Sequence, residues 1–423
     1  MTRPVIGFAG MTHLGLVSGV SASEKGFTLL CFDPDPARIA ALRRGELPVS
    51  EPQLDDLVKK NAARLRFTAE VADLKACDVI YVAPDVATDE LGQSDLGVID
   101  SLLDTVFEAA HPDAVLVVLS QVPPGFTRRK LREGRMLYYQ VETLIFGRAV
   151  ERALHPERYI IGCADPARPL PEAFRTFLEA HGCPILPMRY ESAELAKISI
   201  NMCLVASVST ANTLAELCEK IGADWSEIVP ALKLDRRIGQ YSYLAPGLGI
   251  AGGNLERDLA TVCRFADEYG TDADMVRAWI ANSRYRRDWA LRTLHREVLL
   301  KLADPVIAVL GLAYKQDTHS VKNSPSIALL SSLLPFRVRL FDPVVPASVA
   351  PNPRRDAATS ELDACEGADV LVVMTPWGQF RSLEPVAIAT RLRGKIVLDP
   401  YAVLDRAACR GAGLEYHTLG VGA

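Results

Sequence analysis

The sequence predicts an α/β protein: two doubly wound parallel-sheet lobes joined by a central, mainly helical domain with a long spine helix. Three observations predict it. Short β-branched apolar runs alternate with helical patterns over the first ~185 residues and resume near Asp304. Between them, Glu191 to Ile221 contains neither Pro nor Gly and keeps helical spacing, roughly 30 residues against a mean helix of about 11–12. The 423 residues also exceed one ordinary core and call for two or three domains. The reading divides the chain into 1–188, 189–300 and 301–423.

In the first lobe, Val5-Ile-Gly-Phe-Ala, Thr28-Leu-Leu-Cys-Phe-Asp33, Asp78-Val-Ile-Tyr-Val and Ala114-Val-Leu-Val-Val-Leu read as buried parallel strands, with Tyr159-Ile-Ile-Gly162 as another. The spine helix follows, and Asp272 to about Lys301 reads as further helix. The last lobe restarts with Pro305 to Gly311, followed by Arg337 to Pro343, Ala368 to Met374 and Lys395 to Asp399.

Apolar residues make up 49% and charged residues 23%, an ordinary globular balance. A net charge of −5 gives no basic field for nucleic acid or an anionic membrane. No segment reads as a transmembrane helix or secretory signal, so the expectation is a cytoplasmic protein with neither membrane nor nucleic acid as partner. The nine Cys are scattered without CxxC or Cys/His clustering, which suits reduced core thiols and gives no metal site.

Chemistry enters after the first strand, at Gly10-Met-Thr12-His13-Leu14-Gly15. A dinucleotide-binding turn carries GxGxxG here: one glycine turns the chain, one admits the pyrophosphate, one lets helix and strand approach. The second position is Thr12, which should crowd the phosphate or contact it through its hydroxyl. A glycine turn that only caps a strand is the plainer alternative. The second strand ends in Asp33-Pro-Asp35, an acidic residue about 20 positions on, suited to a ribose 2′-hydroxyl and to NAD over NADP. Asp33 could instead cap the next helix. Arg38 suits the adenosine side or a plain helix surface.

The order of further motifs carries a family resemblance. Ser120-Gln121-Val-Pro-Pro-Gly125-Phe-Thr127, Gln140-Val141-Glu142-Thr-Leu-Ile-Phe146-Gly147 and Glu194-Leu-Ala-Lys197-Ile-Ser-Ile-Asn201 occur in that order. Asp235-Arg-Arg237-Ile-Gly239, Gly249-Ile-Ala-Gly252-Gly253-Asn254-Leu-Glu-Arg257-Asp258 and Gly311-Leu-Ala-Tyr-Lys315 through Lys322-Asn-Ser-Pro325 follow. Together they resemble the STVPxGT, NPEFLxEG, AELxKxxxN, DxRIG, GFGGxCxxKD and GLAFKPDT…RESP blocks of the UDP-glucose/GDP-mannose dehydrogenases, which oxidise nucleotide sugars with NAD. The resemblance implies two Rossmann-like lobes, the first for NAD and the last for the nucleotide of the sugar, around a helical middle that forms a homodimer.

Carried over position by position, the resemblance puts Lys197 and Asn201, at i and i+4 on one helix face, beside the reacting sugar. Asp258 would position water and accept a proton, with helix capping as the bland alternative. Glu142 would stand at the substrate, and Gln121 and Lys322 at the cofactor, with Gly10, Thr12, His13, Leu14, Gly15, Asp33 and Arg38. Arg237, Tyr243, Gly249 and Lys315 would hold the nucleotide sugar, Arg237 across a dimer.

The departures form a set. The family's nucleophilic Cys is Asn254 here, the Thr of STVP is Gln121, the second Glu is Phe146, VGTP is Pro84-Asp85-Val-Ala87, and DGRN is Asp399-Pro-Tyr401-Ala. An amide forms no thiohemiacetal or thioester, whereas hydride transfer needs only geometry, a proton acceptor and donors on the forming carbonyl, roles that Lys197, Asn201, Asp258 and the new amide of Asn254 could supply. The expectation is one two-electron oxidation, to an aldehyde or ketone. A redox-neutral epimerase or dehydratase that keeps its NAD, and a non-catalytic nucleotide-sugar binder, remain as alternatives.

Overall fold

The computed structural model describes residues 3–89 and 93–422. The chain divides into two compact units, Met1–Ile200 and Asn201–Ala423.

Among the described residues of the first unit, the strands are β1 (Val5–Ala9), β2 (Thr28–Phe32), β3 (Leu65–Thr68), β4 (Val79–Val82), β5 (Val115–Val118), β6 (Met136–Gln140), β7 (Tyr159–Cys163) and β8 (Ile185–Arg189). They form one sheet in the order β3-β2-β1-β4-β5-β6-β7-β8. Register is set at the centre, where Ile6 faces Leu29 on one side and Val79 on the other. The order reverses at β1, where β2 and β4 lie on opposite flanks, the switch point at which α/β sheets open a crevice at the strands' carboxyl ends. Near-continuous apolar strands bury both faces. Ile6, Phe8, Leu29 and Tyr81 pack against one helical layer; Leu30, Phe32, Ile80 and Val82 pack against the other. One expectation fails in direction: β7 runs antiparallel to β6, pairing Tyr139 with Gly162, so the sheet is mixed at that edge. The apolar composition of a buried strand carries no direction, so the sequence could not give it.

The spine helix spans Tyr190–Ile221. By length and apolarity alone it could cross a membrane, which corrects the reading that no segment qualifies. It is tied down along its length instead. Its Glu194 accepts from the Gly125 and Thr127 amides and its Asn212 from Gly247.

The second unit holds the rest of that helix, a helical layer and a second sheet. Its strands are β9 (Val306–Leu310), β10 (Arg337–Phe341), β11 (Arg355–Ala357), β12 (Val370–Val373), β13 (Ile396–Leu398) and β14 (Glu415–His417). They lie in the order β11-β10-β9-β12-β13-β14, all parallel. The helix expected from Asp272 is broken: Asp274–Arg287 ends at Asp288, Trp289–Leu294 follows, and a π-helical turn, His295–Leu299, closes it. Arg286, fully buried, explains why these helices hold to the spine, with Glu216 at 3.3 Å and Glu219 at 3.2 Å. Most cysteines are core thiols as expected, but Cys203 is exposed.

Candidate active site

The dinucleotide turn is built by steric necessity. Gly10 sits at φ +96°, and a Cβ there would lie 2.8 Å from the Pro84 nitrogen; one on Gly15 would lie 1.9 Å from the Gly10 carbonyl oxygen. Only glycine permits that closeness of strand, turn and helix. The helix His13–Glu24 starts here, with Leu14 buried on its inner side.

Asp33 closes the far side of the turn. Its buried carboxylate accepts from the Met11 amide at 2.7 Å, the Asp35 amide at 3.0 Å and the Arg38 guanidinium at 2.9 Å. A carboxylate has about four acceptor positions, so one is left for a ribose hydroxyl. Asp33 does not cap the next helix. Asp35 does, through the Ala37 amide. Arg38 points inward to Asp33 rather than lying as a free surface cation.

Thr12, expected at the phosphate, accepts through its Oγ1 from the Asp85 amide at 2.8 Å, which leaves its O–H as a donor. The Asp85 carboxylate in turn accepts from the His13 amide at 2.9 Å. The His13 ring bonds to buried Glu51 at 2.8 Å and stacks on Phe146, centroids 4.2 Å apart. Glu51 also accepts from the Gly147 and Ala149 amides. The segment carrying Glu142 and Phe146 is thereby fastened to the dinucleotide turn. Sequence reasoning assigned no role to Glu51, which lies in no motif.

Successive turns of the spine helix hold the loops at the carboxyl ends of the strands. Glu191 pairs with Arg128. Glu194, fully buried, receives the amides around Thr127, and burial pushes its carboxyl above the usual range against those bonds. Lys197 reaches Glu142, Nζ to Oε2, at 3.9 Å, both side chains largely buried. Glu142 accepts from the Leu144 amide, which fixes its direction. Gln121 is half-buried in the loop after β5, where Ser120 donates to the Pro84 carbonyl.

In the second unit, one helical turn further, Asn201 donates to Asp258. Asp258 is buried, with Arg257 Nε 3.6 Å from its other oxygen. It does not cap its helix, which begins at Asn254 after Gly253 and places Asp258 in the second turn. Asn254 is exposed at that helix start. A Cβ on Gly249 (φ +75°) would fall 2.3 Å from the Ser283 carbonyl oxygen, and Ser283 Oγ accepts from the Ile250 amide. Lys322 lies against this loop: its carbonyl accepts from the Gly252 amide, and Asn323 donates to the Gly252 carbonyl and to Glu256.

The residues expected at the nucleotide sugar spread over this unit. Lys315 lies over the Tyr314 ring at 5.8 Å. Tyr243 lines a cavity of about 960 Å³ with Trp225 and Tyr401. Arg237 is exposed and pairs with its neighbour Asp235 at 2.6 Å, so within this chain it reaches none of the others. Among the described residues no three His, Cys, Asp or Glu gather as a metal cluster.

A glycine turn closed by a buried acidic residue, at the switch point of a doubly wound sheet, with a second parallel-sheet lobe in the same chain, defines a dinucleotide-binding α/β protein. Comparison with known proteins gives the family. Models of the UDP-glucose/GDP-mannose dehydrogenase family match in chain order: the NAD binding domain over residues 5–177, the central domain over 191–284 and the UDP binding domain over 308–406. The chain belongs to this family of NAD-dependent oxidoreductases, which act on the CH–OH of nucleotide sugars. It is 30% identical to a UDP-glucose 6-dehydrogenase of Pseudomonas aeruginosa, covering 97% of this chain and 96% of that one. It is 29% identical to UDP-glucose 6-dehydrogenase TuaD of Bacillus subtilis, over 98% and 93%. A UDP-glucose dehydrogenase structure from Pyrobaculum islandicum superposes with a TM-score of 0.85 at 25% identity, covering 100% and 98%.

Proposed function

We propose that this enzyme carries out a single two-electron oxidation of a nucleotide-sugar hydroxyl and stops at the aldehyde or ketone. One observation carries the reading: the residue at the start of the Asn254–Tyr269 helix is an amide, where the family pattern has its cysteine. A thiolate at a helix start would be activated as a nucleophile; an amide has no such chemistry. The polar groups that hydride transfer needs are kept. Lys197 stands 3.9 Å from Glu142, and Asn201 is oriented by Asp258.

Bound NAD supplies the hydride acceptor. The turn fits it: Gly10 and Gly15 allow the close backbone approach, and Asp33 retains an acceptor position for a ribose hydroxyl. In this reading His13 and Leu14 open the cofactor helix, and Gln121 and Lys322 stand near the cofactor. Lys197 and Asn201 donate hydrogen bonds to the oxygen of the reacting carbinol as it becomes a carbonyl. Asp258 takes the hydroxyl proton through water, while Asn201 holds its carboxylate in place. Arg237, Tyr243, Gly249 and Lys315 hold the nucleotide sugar. The three-part division at 188 and 300 is our assignment of these tasks.

A homodimer is part of the proposal, supported by exposed Leu214, Leu217, Ile221, Leu234 and Tyr241 along one stretch of the second unit. A cytoplasmic location is also part of it. Mass analysis of the product tests the reaction. A sugar lighter than the substrate by two hydrogens, trapped by hydroxylamine, supports the reading; a uronate overturns it.

A further inference from the structure

Asp85 occupies the place in the dinucleotide turn where an anion is wanted. The helix His13–Glu24 presents its first amide to the Asp85 carboxylate at 2.9 Å, and the Asp85 amide is held by Thr12 Oγ1 at 2.8 Å. The Met11 amide, two residues earlier, already belongs to Asp33. A helix start with a glycine turn is an anion site by construction, through its unpaired N–H groups and its partial positive charge. In a dinucleotide-binding turn it receives the pyrophosphate. Here the chain's own carboxylate is on it.

Residues 12 and 85 are two of this sequence's departures from its family's pattern, both from glycine. They bond to each other, so they act as one change rather than two unrelated surface substitutions. The backbone cannot retreat to make room, because Gly10 and Pro84 are already at the limit of approach, a Cβ on Gly10 lying 2.8 Å from the Pro84 nitrogen. The side chain can: Asp85 is exposed, and rotation about its Cα–Cβ bond delivers the carboxylate to water.

We infer that Asp85 is an internal competitor of the cofactor pyrophosphate, displaced each time the dinucleotide binds. It sets a weak, readily exchanged NAD complex in place of a retained one. The inference rests on the proposed NAD-dependent oxidation and deepens it: an enzyme that spends one NAD per turnover gains from rapid release, whereas a hydride-recycling epimerase needs the reverse.

Titration calorimetry of NAD into the full chain tests this without reference to activity, comparing the native protein with Asp85→Asn and Asp85→Gly. Asp85→Asn keeps the side-chain size and an acceptor for the His13 amide, so it guards against loss of folding, which thermal unfolding checks in each variant. The expected result is NAD binding about tenfold tighter in Asp85→Asn and tighter still in Asp85→Gly, the size of a charge effect at a helix start. Unchanged or weaker binding in folded Asp85→Asn overturns the inference while leaving the cofactor assignment standing. Failure of the native protein and both folded variants to bind NAD overturns both.

Discussion

At the residue scale, Lys197 and Glu142 face each other at 3.9 Å in a largely buried setting, which places both side chains. If the ammonium stabilises the oxygen of the reacting carbinol, Lys197→Met lowers kcat by about 10²–10³-fold with little change in nucleotide-sugar affinity. Steady-state kinetics with separate binding measurements check this. A second residue makes a prediction about pH. Burial pushes His181 down from 6.5 to about 4, and its ring bonds to the Phe177 carbonyl while lying edge-on to Tyr159. The unfolded chain therefore takes up this proton first. The stability His181 contributes is complete above pH 6.5 and is lost as pH falls from 6.5 towards 4, roughly 3 kcal/mol in all. His181→Phe should flatten the acid limb of a stability–pH curve measured by thermal unfolding.

At the scale of elements, the spine helix organises what the loops present. Glu191, Glu194 and Lys197 each take a partner from the loops of the first sheet, and Asn201 then meets Asp258. Further along, Arg286 lies fully buried between Glu216 and Glu219, and Trp289 donates to Glu219. Removing one partner of such a group leaves buried charge uncompensated. Arg286→Leu should destabilise the second unit by about 3 kcal/mol, seen as a lower midpoint in urea-induced unfolding.

Sequence periodicity placed this helix to within a residue at each end, because some 30 residues without Pro or Gly admit no other element. Strand direction at β7 was not legible, since a strand buried on both faces reads the same either way. The helix break at Asp288 was hidden by ordinary helix formers on both sides.

At the scale of the whole molecule, the colinear motifs carried the fold because each is a local steric or capping requirement readable in place: Gly10 and Gly15 at the turn, Asp33 after β2, Gly249 against Ser283. What the motifs could not carry were bonds between distant segments. Glu51 under His13 and Gly147, Asp85 on the His13 amide and Glu194 on the Thr127 amide join positions 38 to 96 residues apart. Glu194 and Asp85 were visible as motif members, yet their partners are set by tertiary packing. Departures, too, have partners that no motif shows. Thr12, expected to crowd or contact a phosphate, also accepts from the Asp85 amide. Phe146, where the family pattern has a Glu, is also the stacking partner of His13.

In the proposed reaction the chemistry ends after the first hydride, because Asn254 offers nothing to hold the carbonyl covalently. The most direct measurement counts NADH formed against nucleotide sugar consumed, with the purified enzyme and limiting sugar. A ratio of one, unchanged on long incubation, is the predicted result. A ratio of two would contradict it, because the enzyme would then be completing the second oxidation without a thiol at position 254.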